Sequence, residues 1–152
     1  MPQDIDQFIS ETLTALGQAD PHVEAVMQMS PSRWVLSYTD DTQMDVALHE
    51  ATNRLVLSAE VGNAPEASRP RTMQALLAFN LMWADTDCVR AAMSPVDGGT
   101  ILISDLFLPD LTDERLERAV LRLKDSARGW RDFVSGDLAA PVDAPDALMI
   151  RV

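Results

Sequence analysis

Apolar positions along this chain repeat first with a helical period, then with a strand period, then with a helical period again. From Asp4 to Leu16, residues Ile5, Phe8, Ile9, Leu13 and Leu16 recur three and four apart. Asp4 stands as N-cap and Gly17 as a stop, so the pattern predicts a first helix. The stretch VEAVMQM (23–29) fits either a short strand or an irregular approach to a sheet. Three alternating runs then follow, RWVLSY (33–38), QMDVALH (43–49) and RLVLSAEV (54–61). Turns at Asp40-Asp41 and Thr52-Asn53 separate them, and together they predict an antiparallel meander.

After GNAPEASRP (62–70) the period returns to helical in PRTMQALLAFNLMWA (70–84), with Ser68 as candidate N-cap and Pro70 in the first turn, where a missing N–H is tolerated. Here Met73, Leu76, Leu77, Phe79, Leu81 and Trp83 spread over about 200° of arc, whereas a helix lying on one core needs about 100°. One surface cannot bury such a helix, so a partner subunit or bound peptide is expected to cover the rest. VRAAMS (89–94) and TILISDLFL (100–108) flank Asp97-Gly98-Gly99 and predict a hairpin. A last helix opens at Thr112 with Asp113 and Glu114 in its first turn, and Leu116, Val120, Leu123, Ala127, Trp130 and Val134 form a narrow stripe. The resulting expectation is an α+β fold of order α-β-β-β-α-β-β-α, with helices packed on an antiparallel sheet. It forms one domain over 1–135, followed by an acidic, proline-containing tail over 136–152 that is expected to be mobile.

Composition narrows the function. The chain has 152 residues, 47% of them hydrophobic, enough for one globular core. It carries 24 Asp and Glu against 12 Lys and Arg, a net charge of -12, which disfavours nucleic acid and anionic membrane surfaces as partners. No apolar run is long enough to span a bilayer, the start MPQDIDQFIS is unlike a secretory signal, and one cysteine cannot form an internal disulfide, so a cytoplasmic protein is expected.

Reactive groups are sparse. His22 and His49 lie in different elements, no Cys/His spacing suits zinc, and Gly98-Gly99 lacks the strand-glycine-helix setting of a phosphate cradle. Cys88 beside His49, or the Asp85/Asp87 pair, are the thin candidates for an enzyme. The commoner reading of each is structural, Cys88 as a small buried hydrophobe and the aspartates as a solvated turn. No catalytic, metal or cofactor residues are therefore assigned, and no cofactor is expected.

The order of elements, with the run LLAFN (76–80) containing Asn80, the hairpin VRAAMSPVDGGTILISDLFL (89–108) and the closing ARGWRDFV (127–134), resembles the class I type III secretion chaperones, the family of small acidic dimeric proteins that includes the Tir chaperone. The resemblance covers Asp4 to about Val134. It implies a homodimer through the second helix, with contacts at Met73, Leu76, Leu77, Asn80, Leu81 and Trp83. It also implies a bacterial cytosolic protein that holds the extended N-terminal segment of a secreted effector for export, without catalysis or ATP. Strand addition at a sheet edge would give such binding a physical basis. One pocket is then expected at Ile5, Phe8, Ile9, Val35 and Leu57, and a second at Leu102, Leu106 and Phe107. A regulator or adaptor of the same fold with a non-secreted partner is the alternative.

Overall fold

The computed structural model describes residues 4–136. The expectation for the tail therefore falls outside the described residues, apart from Gly136. The elements run α1 (Ile5–Ala19), β1 (Val23–Ser30), β2 (Arg33–Tyr38), β3 (Gln43–His49), β4 (Arg54–Gly62), α2 (Arg69–Leu81), β5 (Arg90–Met93), β6 (Thr100–Phe107) and α3 (Asp113–Val134). The six strands form one antiparallel sheet of order β1-β2-β3-β4-β6-β5, so β1 and β5 are its edges. The α+β class stands as expected, with one correction to the order: the ambiguous 23–29 stretch is a full strand.

Alternation decides which face of the sheet is covered. Trp34, Leu36 and Tyr38, Met44, Val46 and Leu48, and Leu55, Leu57, Ala59 and Val61 are all buried, together with Leu102 on β6. They join Ile9, Leu13 and Leu16 of α1, Ala75, Leu76 and Phe79 of α2, and the whole stripe of α3 in a single core. The three helices thus cover one face, and intervening residues such as Val35, Asp45, Val56 and Ile103 lie half-buried on the other.

Gly17 does not end α1, which continues to Ala19. A Cβ at that position would lie 2.8 Å from Val26 Cγ2, so the glycine lets α1 approach β1 closely. The helix starts also differ in chemistry. Thr112 caps α3 by accepting from the Arg115 N–H at 3.2 Å, whereas Asp4 and Ser68 occupy N-cap positions without side-chain capping bonds. Ser68 instead donates to the Pro65 carbonyl at 3.3 Å.

The only lysine, Lys124, is buried on α3. Its ammonium reaches Asp40 at 2.5 Å and the Thr42 hydroxyl at 3.1 Å, and lies 4.5 Å from the centre of the Tyr38 ring. Arg131 donates to the Asp40 carbonyl at 3.1 Å and to the Thr42 hydroxyl. The β2–β3 turn is thereby tied to the middle of α3, a charged tie inside an otherwise apolar contact.

Candidate functional site

The breadth of the α2 apolar arc divides into two parts. Thr72, Ala75, Leu76 and Phe79 face the core. Met73, Leu77 and Leu81 follow around the helix and are 40%, 68% and 60% exposed. Asn80 sits on the boundary, where its amide donates to the Ala91 carbonyl at 3.0 Å and accepts from the Ala91 N–H at 2.6 Å. That two-way bond fixes the edge strand β5 beside α2. Met73, Leu76, Leu77 and Asn80 then share a cavity of about 110 Å³ with Ala91, Ala92, Met93 and Thr100. Met93, 45% exposed on β5, extends the apolar surface from helix to sheet edge.

Trp83 departs from the expectation. α2 ends at Leu81, and the chain turns repeatedly through 82–88, with Asp85 and Thr86 N–H groups on the Met82 carbonyl and positive φ at Asp87 and Cys88. The buried Thr86 hydroxyl holds this turn, 3.2 Å from the Met82 carbonyl and 3.3 Å from that of Val89. Trp83 lies beyond the helix and lines a different groove of about 400 Å³, shared with Cys88, Leu106, Arg115, Arg118 and Arg122. Cys88 is exposed there, not a small buried hydrophobe, and His49 is not among the lining residues. Asp87 pairs with Arg122 at 3.9 Å, and Arg122 also donates to the Asp85 carbonyl at 3.0 Å. Among the described residues, no group of three or more His, Cys, Asp or Glu side chains comes together as metal ligands would.

The expected partner pockets are not assembled as a set. Ile9, Leu57 and Leu102 are fully buried in the core. Ile5 and Phe8 are half-buried on α1, on the helix side of the sheet, while Val35 lies on the opposite face, paired across from Met27 and Asp45. Leu106 lines the arginine groove, and Phe107 is 42% exposed with the Arg54 guanidinium 5.2 Å from its ring centre. The structure instead exposes apolar groups at the other sheet edge. Met27 and Met29 of β1 are 47% and 61% exposed, and β1 has a neighbour on one side only. Nothing in the ambiguous 23–29 pattern marked these two methionines as surface.

Solved structures with this fold include the ExsC-ExsE complex (18% identity, 88% of this chain and 98% of that one, TM-score 0.69). The HopA1-SchA chaperone-effector complex is similar over 87% of this chain and 99% of that one (17% identity, TM-score 0.65). The Yersinia pestis type III secretion chaperone SycH, solved with a fragment of YscM2, is similar over 81% of this chain and 96% of that one (20% identity, TM-score 0.59). A match to mouse Centrosomal protein of 152 kDa, at 18% identity over 151 residues, covers 96% of this chain but only 9% of that protein's length. Residues 32–131 match the Tir chaperone protein (CesT) family, so a sheet with one helix-covered face, open edges and a half-covered α2 is found in a chain that belongs to that family of type III secretion chaperones.

Proposed function

We propose that this protein acts in the bacterial cytosol as a homodimer that holds the extended N-terminal segment of a secreted effector and keeps it competent for export, without catalysis. The observation that carries the reading is the open edge strand β1 with its exposed Met27 and Met29, set against an opposite edge, β5, that Asn80 of α2 engages and where Met93 adds to an exposed apolar surface. An open strand offers unpaired N–H and C=O groups to any extended segment, and adjacent thioether side chains adapt to varied apolar partners. The two edges take different occupants. β5 continues into the outward arc of α2, a broad apolar surface suited to a second copy of the same chain. β1 has no such helix arc beside it and is the edge left for the effector. The chaperones SchA and SpcS have been solved with HopA1 and ExoT, which supports an effector as the partner class.

The test is affinity capture from the native cytosol, followed by limited proteolysis of the retained complex. We expect one larger protein protected through a segment near its N-terminus, and loss of that protein from the Met27→Glu variant with the dimer intact. A partner held through a folded domain, or none at all, contradicts the proposal.

A further inference from the structure

β5 is half as long as the strand it pairs with. It covers β6 only from Thr100 to Ile103, while β4 lies along the other side of β6 from Thr100 to Phe107. Ser104 to Phe107 therefore have a strand on one side only. Alternate residues of an antiparallel strand direct their N–H and C=O groups to opposite sides, so two of these four present both groups away from β4. Among the described residues, no backbone bond from a loop or turn takes those groups up.

This bare stretch is the floor of the groove of about 400 Å³. Ser104, Asp105 and Leu106 line it in succession, which brings the edge of the strand to the opening rather than one of its faces. α3 forms one wall, and the 82–88 turn with Trp83, 58% exposed, forms the other. The groove shares no lining residue with the cavity of Met73, Leu77 and Met93.

The charges on the walls select the occupant. Arg122 is paired with Asp87, and Asp105 is engaged by Arg54 and Arg90 at 3.6 and 3.0 Å. Arg115 and Arg118, both exposed, have no acidic partner among the described residues, not even Glu114 or Glu117 of the same helix. Two unneutralised guanidiniums together are unexpected in a chain of net charge -12. Carboxylates are the side chains that guanidiniums bind in two-pronged fashion, and only a polypeptide also supplies N–H and C=O groups in the spacing of a strand edge.

We infer that this groove takes an extended acidic segment of a partner polypeptide, added to β6 in line with β5, with carboxylates on Arg115 and Arg118 and apolar side chains against Trp83 and Leu106. Inward-facing residues of such a strand recur about 6.7 Å apart. Arg115 and Arg118 are about 4.5 Å apart along α3, a difference that their long side chains span. The recognised segment therefore carries acidic residues at two alternate positions, with apolar residues at the alternate positions that flank them. The site lies across the sheet from β1 and holds whether or not β1 takes an effector.

The probe is the capped peptide Leu-Thr-Glu-Thr-Glu-Thr-Leu, titrated into the full chain beside a copy with both glutamates replaced by glutamine. Trp83 fluorescence reports occupancy, because Trp34 and Trp130 are each only 1% exposed. We expect saturable binding of the acidic peptide, about tenfold weaker for the glutamine copy, for Arg115→Gln/Arg118→Gln and for the unaltered chain at high salt. Bound peptide should also slow amide exchange within Ser104–Phe107. The comparison of the two peptides needs no altered protein, so it decides the matter even where a variant fails to fold. No binding, equal affinity for the two peptides, or binding that leaves exchange over 104–107 unchanged overturns the inference. So does slow exchange there in the free chain that quickens on dilution, since the edge would then belong to a second copy.

Discussion

α3 and α2 pack against the same core, yet one completes its burial within the chain and the other does not. In α3 the stripe Leu116, Val120, Leu123, Ala127, Trp130 and Val134 is wholly buried, and Leu121 is its only large exposed apolar residue. In α2 an inward stripe of Thr72, Ala75, Leu76 and Phe79 is just as well buried, but Met73, Leu77 and Leu81 continue outward into solvent and join Met93. The width of an apolar arc therefore separates a helix that one surface satisfies from one that needs a second. α3 spends its other side on charge, tying Lys124 and Arg131 to the β2–β3 turn.

The largest expected effect is at the buried stripe. Trp130 packs edge to face on both Phe79 and Phe133, at 5.2 and 5.4 Å. Trp130→Ala should lower stability by about 3–5 kcal/mol in urea denaturation at fixed protein concentration. A loss below about 1 kcal/mol would mean that the stripe is not the anchor described. Next comes the boundary of the α2 arc. Asn80→Ala leaves the Ala91 N–H and C=O without their partner, and should cost about 1–3 kcal/mol together with faster amide exchange across β5. Unchanged exchange there would separate Asn80 from the edge strand.

A smaller, pH-dependent effect belongs to the charged tie. Burial alone raises the Asp40 pKa, but hydrogen bonds from Lys124 and Thr42, with the Lys124 charge, outweigh it and hold the carboxyl well below the usual carboxylate range. Because the folded value is the lowered one, this stabilisation is complete above the unfolded carboxylate value of about 3.9 and is lost as pH falls below it. The melting temperature should drop more steeply below about pH 4 in the unaltered chain than in Asp40→Asn. Parallel curves would remove Asp40 from the account. The smallest effect should come from Leu121→Glu, which alters only the outer side of α3 and should stay within about 0.5 kcal/mol of the unaltered chain.

Much of this contrast was legible in the sequence. The α3 stripe, the meander faces and the excess width of the α2 arc follow directly from where leucines and aromatics recur. What periodicity cannot distinguish is a face turned to the core from one turned to a groove, and so Ile9, Leu57 and Leu102 read equally well as pocket or interior. β1 was ambiguous because an edge strand with a half-exposed surface lacks clean alternation. Gly17 carries the usual mark of a helix stop, and only its contact with Val26 shows that it permits close packing instead. Arg115, Arg118 and Arg122 share one helix face by their spacing, but their meeting with Trp83 depends on the turn through 82–88, which has no periodic signal.

Sedimentation equilibrium of the unaltered chain beside Leu77→Glu tests most directly whether the outward arc of α2 is covered by a second copy. Leu77 is 68% exposed in the single chain, so a carboxylate there should leave the fold intact while strongly disfavouring burial between two copies. We expect the unaltered chain at twice its 16.7 kDa mass, and Leu77→Glu folded at 16.7 kDa. An unaltered chain sedimenting at 16.7 kDa, or a Leu77→Glu variant still at double that mass, would contradict it.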